Sequence, residues 1–195
     1  MRLILASSSP YRRELMRRLS LPFESISPDI DETPREGEPP ASLALRLAQE
    51  KAAAIAILHP GTLIVGSDQV ADFNGTPIGK PGDFPSAQDQ LRRFSGQTIL
   101  FHTALCVTDG QRRQVDGIRT ECRFLPLTDA QIDHYLHTER PYDVAGSAKA
   151  ECLGIALMEH IRSDDPTALI GLPLIALSRM LRKFGVDPLQ SSFSV

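Results

Sequence analysis

Three short stretches and two separate lysines of this chain carry side chains suited to holding phosphate or moving a proton. Ser7-Ser8-Ser9-Pro10 stands between an apolar run and a helical pattern. A strand-to-helix turn leaves backbone N–H groups free and aims the positive end of the helix dipole outward, which favours an anion. Serine hydroxyls add donors, and Arg12 and Arg13, one turn in, add fixed charge that can grip phosphate bidentately. Asp29, Asp31 and Glu32 cluster in an acidic loop, the ligand type of hard cations. Asp68, between Ser67 and Gln69, closes the buried-strand pattern Leu63-Ile64-Val65-Gly66. Strand ends are where α/β sheets place ligands, and burial beside phosphate can tune a carboxylate for base work. Lys51 and Lys80 are the remaining cations of interest.

Each feature also has a plain structural explanation. Ser9 and Pro10 are a good N-cap and first helical residue. Charged loops and lone lysines are common on surfaces, and aspartate forms turns. Gly75 to Lys80 is one residue too short for a P-loop, and Pro81 stands where a magnesium-binding hydroxyl belongs. His134 and His137 share a helical face, but no glutamate completes a metalloprotease pattern, so both read as surface residues. What survives is scattered cations with carboxylates, which together suit a polyphosphate and a divalent metal.

The elements that must position these groups follow from periodicity and punctuation. Strands are expected at Leu3–Ala6, Phe23–Ser27 and Leu63–Gly66. A hairpin about Asn74-Gly75 pairs Val70–Phe73 with Thr76–Ile78. A longer one about Asp109-Gly110 joins 98–108 to 113–124. Helices are expected at Pro10–Leu19, Leu43–Leu58, Pro85–Phe94 and Pro173–Phe184. Thr128-Asp129-Ala130-Gln131 is a capping box that opens another, to about Leu136. Ile155–Ile161 reads as a strand. Hairpins mixed with strand–helix units predict an α/β fold with a mixed sheet, and no linker or repeat divides residues 1–195.

Composition excludes several classes. With 21 basic and 24 acidic residues the net charge is -3, which lacks the basic footprint of a nonspecific duplex binder. The longest apolar run, Ala52–Leu58, is far below the roughly 20 residues of a membrane span. Leu3–Ala6 is too short for a secretory h-region. Three cysteines, an odd number without zinc spacing, read as packed reduced thiols in a cytoplasmic protein.

Leu5-Ala6-Ser7-Ser8-Ser9-Pro10-Tyr11-Arg12-Arg13 resembles the opening motif of the Maf family of nucleotide pyrophosphatases. The resemblance continues in order through Asp31-Glu32-Thr33, Ala48-Gln49-Glu50-Lys51-Ala52, Gly66-Ser67-Asp68-Gln69 and Gly79-Lys80-Pro81. It ends with Ser95-Gly96, Ala145-Gly146-Ser147 and Gly171-Leu172-Pro173-Leu174. Each piece is weak; the ordered set is specific and spans nearly the whole chain.

The resemblance implies a two-lobed α/β fold similar to inosine triphosphate pyrophosphatases, with the active-site cleft between the lobes. It implies hydrolysis of a nucleoside triphosphate to the monophosphate and pyrophosphate. Asp68 then matches the proton acceptor, Ser7, Ser9, Arg12, Lys51 and Lys80 the phosphate grip, and Glu32 the acidic residue near the metal. Mg²⁺ or Mn²⁺ is the expected cofactor, met by Glu32 and Asp68 directly or through water. Tyr11, Gln69 and Glu151 are similar to the subgroup that acts on 7-methyl-GTP. A thymidine- and uridine-triphosphate subgroup typically has Arg in place of Tyr11 and Gln in place of Glu151. Two rivals stand beside this reading: a dTTP/UTP pyrophosphatase, and a nucleotide-sensing regulator of septum formation. The expected partner is a nucleoside triphosphate, with no membrane and no duplex; the oligomeric state is open, a homodimer included.

Overall fold

A computed structural model describes residues 2–190. Among the described residues, seven strands form one mixed sheet: β1 (Leu3–Ala6), β2 (Glu24–Ile26), β3 (Leu63–Phe73), β4 (Thr76–Ile78), β5 (Thr98–Thr108), β6 (Arg113–Phe124) and β7 (Met158–Ser163). The order is β2-β1-β3-β5-β6-β7, and β4 pairs with the far end of β3. β1 runs parallel to β2 and β3; the remaining pairs are antiparallel. Five α-helices of the described residues pack on it: α1 (Pro10–Arg17), α2 (Pro40–Leu58), α3 (Phe84–Phe94), α4 (Asp129–Glu139) and α5 (Leu174–Lys183).

The long strands serve two packing regions. At the end of the sheet where β3 begins and β5 finishes, Leu63, Val65, Leu105 and Val107 on one face meet Leu15 and Met16 of α1 and Leu177 and Leu181 of α5. On the other face, Ile64, Ala104 and Cys106 meet Ala44, Leu47 and Ala48 of α2. The opposite end, where β3 finishes and β5 begins, packs on α3 and α4 through Ala71, Ile99, Phe101, Leu91, Phe94 and Tyr135. Residues at the change from one region to the next therefore face a cleft.

The expected mixed α/β fold is borne out, with three local differences. β3 does not stop at Gly66 but runs unbroken for eleven residues, so Asp68 lies mid-strand rather than at a strand end. Polar Ser67 and Asp68 mimic a terminus, yet both are buried and both have partners, which removes the penalty for continuing. Ile155–Ile161 is not one strand: a 3-10 turn occupies Leu153–Leu157 and β7 begins at Met158. There the Leu157 carbonyl accepts from the Leu125 N–H, which ties the turn to the end of β6. Third, α2 starts at Pro40, ahead of its first leucine. Cys106 and Cys122 are packed as expected, whereas Cys152 is exposed. No described helix is long and apolar enough to cross a membrane.

Candidate active site

α2 lies unusually close to β3, and the cause is a missing side chain. A Cβ on Gly66 would stand 2.2 Å from the Ala48 carbonyl oxygen and 2.9 Å from the Ala52 Cβ. With glycine there and alanines opposite, the helix backbone settles onto the strand. This brings Lys51, one position before Ala52, over Asp68, two positions after Gly66.

The Lys51 ammonium lies 2.5 Å from Asp68 Oδ1 and 2.8 Å from Glu32 Oε1. Its side chain is 6% exposed, so the two carboxylates are what make burying this charge tolerable. Arg12 approaches the same Asp68 oxygen at 3.9 Å. Burial pushes the Glu32 carboxyl up, but the Lys51 contact and the charges of Lys80 and Arg12 outweigh it, leaving it below its ordinary value.

Strand alternation sends Ser67 and Gln69 to the opposite face from Asp68. Ser67 donates to the carbonyls of Ala104 and Gly171 at 2.9 and 3.0 Å. The Gln69 amide donates to the Leu169 and Ala168 carbonyls at 2.8 and 3.0 Å. The turn they hold presents the Gly171 carbonyl, which accepts from Arg12 Nε at 2.9 Å. The guanidinium is thereby aimed at the cleft. Beneath the turn, buried Asp165 accepts from the Ile175 and Ala176 N–H groups and caps α5.

The β1–α1 turn supplies the hydroxyls. Ser9 caps α1 by accepting from the Arg12 N–H, and Ser7 Oγ, buried, accepts from the Ser9 N–H. Ser7, Ser9, Arg12, Lys51, Asp68, Glu32 and Lys80 all line one cleft of about 480 Å³. Arg13, grouped with Arg12 on spacing, is turned to solvent.

Tyr11 and Gln69 line the same cleft. Glu151 does not; it is exposed on the segment between the 3-10 turns. Three contributors escaped the sequence reading. Asp143 lines the cleft and accepts from the Tyr11 hydroxyl at 3.3 Å. Gln90 donates to the Gly79 carbonyl and accepts from Ser147, tying the Lys80 loop to the segment that carries Asp143. Arg46 bonds Glu38 and the Thr33 carbonyl, fastening the acidic loop to α2. Asp143 and Gln90 have no spacing signal because their partners Tyr11 and Ser147 lie 132 and 57 residues away, and Arg46 reaches back out of its helix into a loop without periodicity.

The donor set suits a hard cation. Glu32 and Asp68 offer oxygens that converge on one point, now shared through Lys51. Among the described residues no group of three His, Cys, Asp or Glu gathers into a metal cage. Any cation held there would need further oxygens, from phosphate or water, as is usual for magnesium.

The architecture is shared with known proteins. A HAM1 protein from Coxiella burnetii matches with a TM-score of 0.52 and 17% identity, covering 94% of this chain and 99% of that one. The Staphylococcus aureus Ham1 protein matches with a TM-score of 0.54 and 11% identity, covering 94% and 100%. The protein is thus a mixed α/β protein of Ham1-like fold with a cation-rich cleft. The chain belongs to the Maf family: the family described as Maf-like protein matches residues 2–184. The 7-methyl-GTP pyrophosphatase of Bordetella avium is 67% identical over 190 residues, 97% of this chain and 96% of its own. That of Ralstonia nicotianae is 58% identical over 182 residues, 92% and 94%.

Proposed function

We propose that the protein hydrolyses 7-methyl-GTP to 7-methyl-GMP and pyrophosphate, keeping a modified nucleotide out of nucleic acid. The names borne by relatives at 58–67% identity support the substrate. The observation that carries the chemistry is the Lys51 ammonium shared by Asp68 and Glu32 beside the Ser7–Ser9 turn.

The triphosphate lies across the serine turn. Lys51, Arg12 and Lys80 meet its oxygens, where negative charge grows on the leaving pyrophosphate. Asp68 holds the attacking water and takes its proton. A divalent cation, Mg²⁺ or Mn²⁺, would be held by Glu32 and Asp68, directly or through water, and would neutralise phosphate charge when bound. Tyr11 offers the base an electron-rich face, worth about 0.5–2 kcal/mol toward a cation. Gln69, its amide committed to the 168–169 carbonyls, sets the depth of the cleft floor. Glu151 is included as an acceptor for the guanine edge, and a Glu151→Gln comparison tests its reach. The reaction is placed in the cytoplasm, where nucleotide pools are used.

The rival readings are a dTTP/UTP pyrophosphatase and a nucleotide sensor. A sensor needs the phosphate grip but has no need of a buried carboxylate facing it. The test is a panel of 7-methyl-GTP, GTP, dTTP and UTP with both products identified. The expected result is fastest turnover of 7-methyl-GTP with release of pyrophosphate. Preference for dTTP or UTP, release of inorganic phosphate, or binding without turnover would overturn the proposal.

A further inference from the structure

One rim of the cleft holds charged groups that phosphate chemistry does not use. Asp143 lines the cleft with its side chain 59% exposed, yet both oxygens are engaged. Oδ2 accepts from the Tyr11 hydroxyl at 3.3 Å, and Oδ1 lies 3.6 Å from Lys149 Nζ. The same ammonium stands 5.8 Å from the centroid of the Tyr11 ring. A cation already occupies the aromatic face, with an anion beside it.

The segment is pinned on both sides. The Tyr142 carbonyl accepts from the Gly82 N–H at 3.1 Å. Buried Ser147 donates to Gln90 at 2.6 Å. Next to it, Gly146, at φ +73°, fits against Phe101, where a Cβ would stand 3.1 Å from the ring. Asp143 is therefore presented by a fixed backbone.

We infer that Asp143 is a specificity-determining residue that places negative charge beside the base on Tyr11 and so favours a cationic, N7-methylated purine over a neutral one. The inference rests on the 7-methyl-GTP reading and adds a carboxylate that lies in the cleft wall itself. Methylation at N7 adds one positive charge to guanine without removing its Watson–Crick donors. A cationic ring on Tyr11 gains from the ring face and from Asp143 together. A neutral ring gains only stacking, whereas a cationic ring also depends on Asp143, which pairs with the nearby Lys149 ammonium at 3.6 Å and so offsets it.

The charge can be removed almost alone. Asp143→Asn keeps the size of the side chain and an acceptor for the Tyr11 hydroxyl, and the site is exposed, so the fold is not at stake. The experiment measures kcat/KM for 7-methyl-GTP and GTP on the parent and the variant. The ratio between the two substrates is expected to fall roughly tenfold, the size of a single charge interaction in a partly solvated site. An unchanged ratio would overturn the inference, as would an equal loss on both substrates, which would assign Asp143 to folding or turnover. A parent that shows no preference for 7-methyl-GTP would overturn the functional reading itself, and this inference with it. The two failures are told apart by the parent alone.

Discussion

Gly66 rests directly on Ala48, strand backbone against helix backbone, so that a Cβ at Gly66 would fall 2.2 Å from the Ala48 carbonyl oxygen. The approach sets the distance between α2 and β3, and with it the contact of Lys51 with Asp68 at 2.5 Å. A packing feature thereby becomes a site feature.

Gly66→Ala should therefore cost more than the loss of a flexible contact. The obstacle is backbone on a long helix, which cannot swing aside as a side chain can. Overpacking of this kind typically costs about 1–3 kcal/mol. The denaturation midpoint should fall, and turnover should fall further than stability explains, because Lys51 moves with α2. A variant with parental midpoint and parental turnover would show that the helix adapts freely.

Asp68→Asn separates chemistry from folding. Glu32 remains beside Lys51, so the buried ammonium keeps one carboxylate. Stability should fall, because the ammonium loses the more buried of its two carboxylates, but the native fold should be retained, and turnover is compared on the folded protein. General-base assistance is worth about 10²–10⁴-fold, and turnover should drop within that range. Measured kcat equal to the parent's would remove Asp68 from proton transfer.

Much of the scaffold was legible because its punctuation is chemical. Asn74-Gly75 and Asp109-Gly110 place two hairpins, and the longer one runs over 98–108 and 113–124 as expected. The Thr128–Gln131 capping box forms with both of its bonds. β3 was cut short because Ser67, Asp68 and Gln69 look like a strand end. Their partners, Lys51 and the carbonyls of 168–171, lie 17 to about 100 residues away, and nothing local announces them. Asp143 was invisible for the same reason: its partner Tyr11 is 132 residues distant. The Gly66 approach was encoded in a motif, but its purpose emerges only when Ala48 and Ala52 are seen opposite. Glu151 shows the converse, since the resemblance marks it while the cleft wall does not include it.

The thiols give an independent check on burial. Burial pushes Cys106 up to about 11 and Cys122 up to about 12, so neither holds appreciable thiolate at neutral pH. Cys152 is exposed, though partial desolvation and the nearby Glu139 and Glu151 raise it too. A thiol reagent at pH 8 should therefore modify one cysteine in the native protein and three after denaturation. Mass spectrometry should place the native adduct on Cys152. Rapid native labelling of Cys106 or Cys122 would contradict the packing described.

Acid should loosen the loop that carries Glu32 before it touches the core. Arg46 bonds both oxygens of Glu38 at 2.7 and 2.8 Å and the Thr33 carbonyl at 3.0 Å. Arg35 reaches Glu50 at 3.2 Å, and the Arg35 N–H donates to Glu38 at 3.0 Å. The Arg46 bonds, with the Arg35 N–H, hold the Glu38 carboxyl down to about 2, against an ordinary value of 4.5. A carboxyl depressed by folding contributes fully above its unfolded value and loses that contribution as pH falls through its folded one. The fastening is thus complete above about pH 4.5 and is lost as pH falls through about 2. An NMR titration of the Glu38 carboxyl should show its midpoint near the lower figure, and Arg46→Met should move it upward. Glu38→Gln should reproduce the released loop at neutral pH, lowering kcat/KM through Glu32 while the melting transition stays near the parent's. A midpoint near 4.5 in the parent, or a Glu38→Gln variant with parental kinetics, would show that Glu32 does not depend on this fastening.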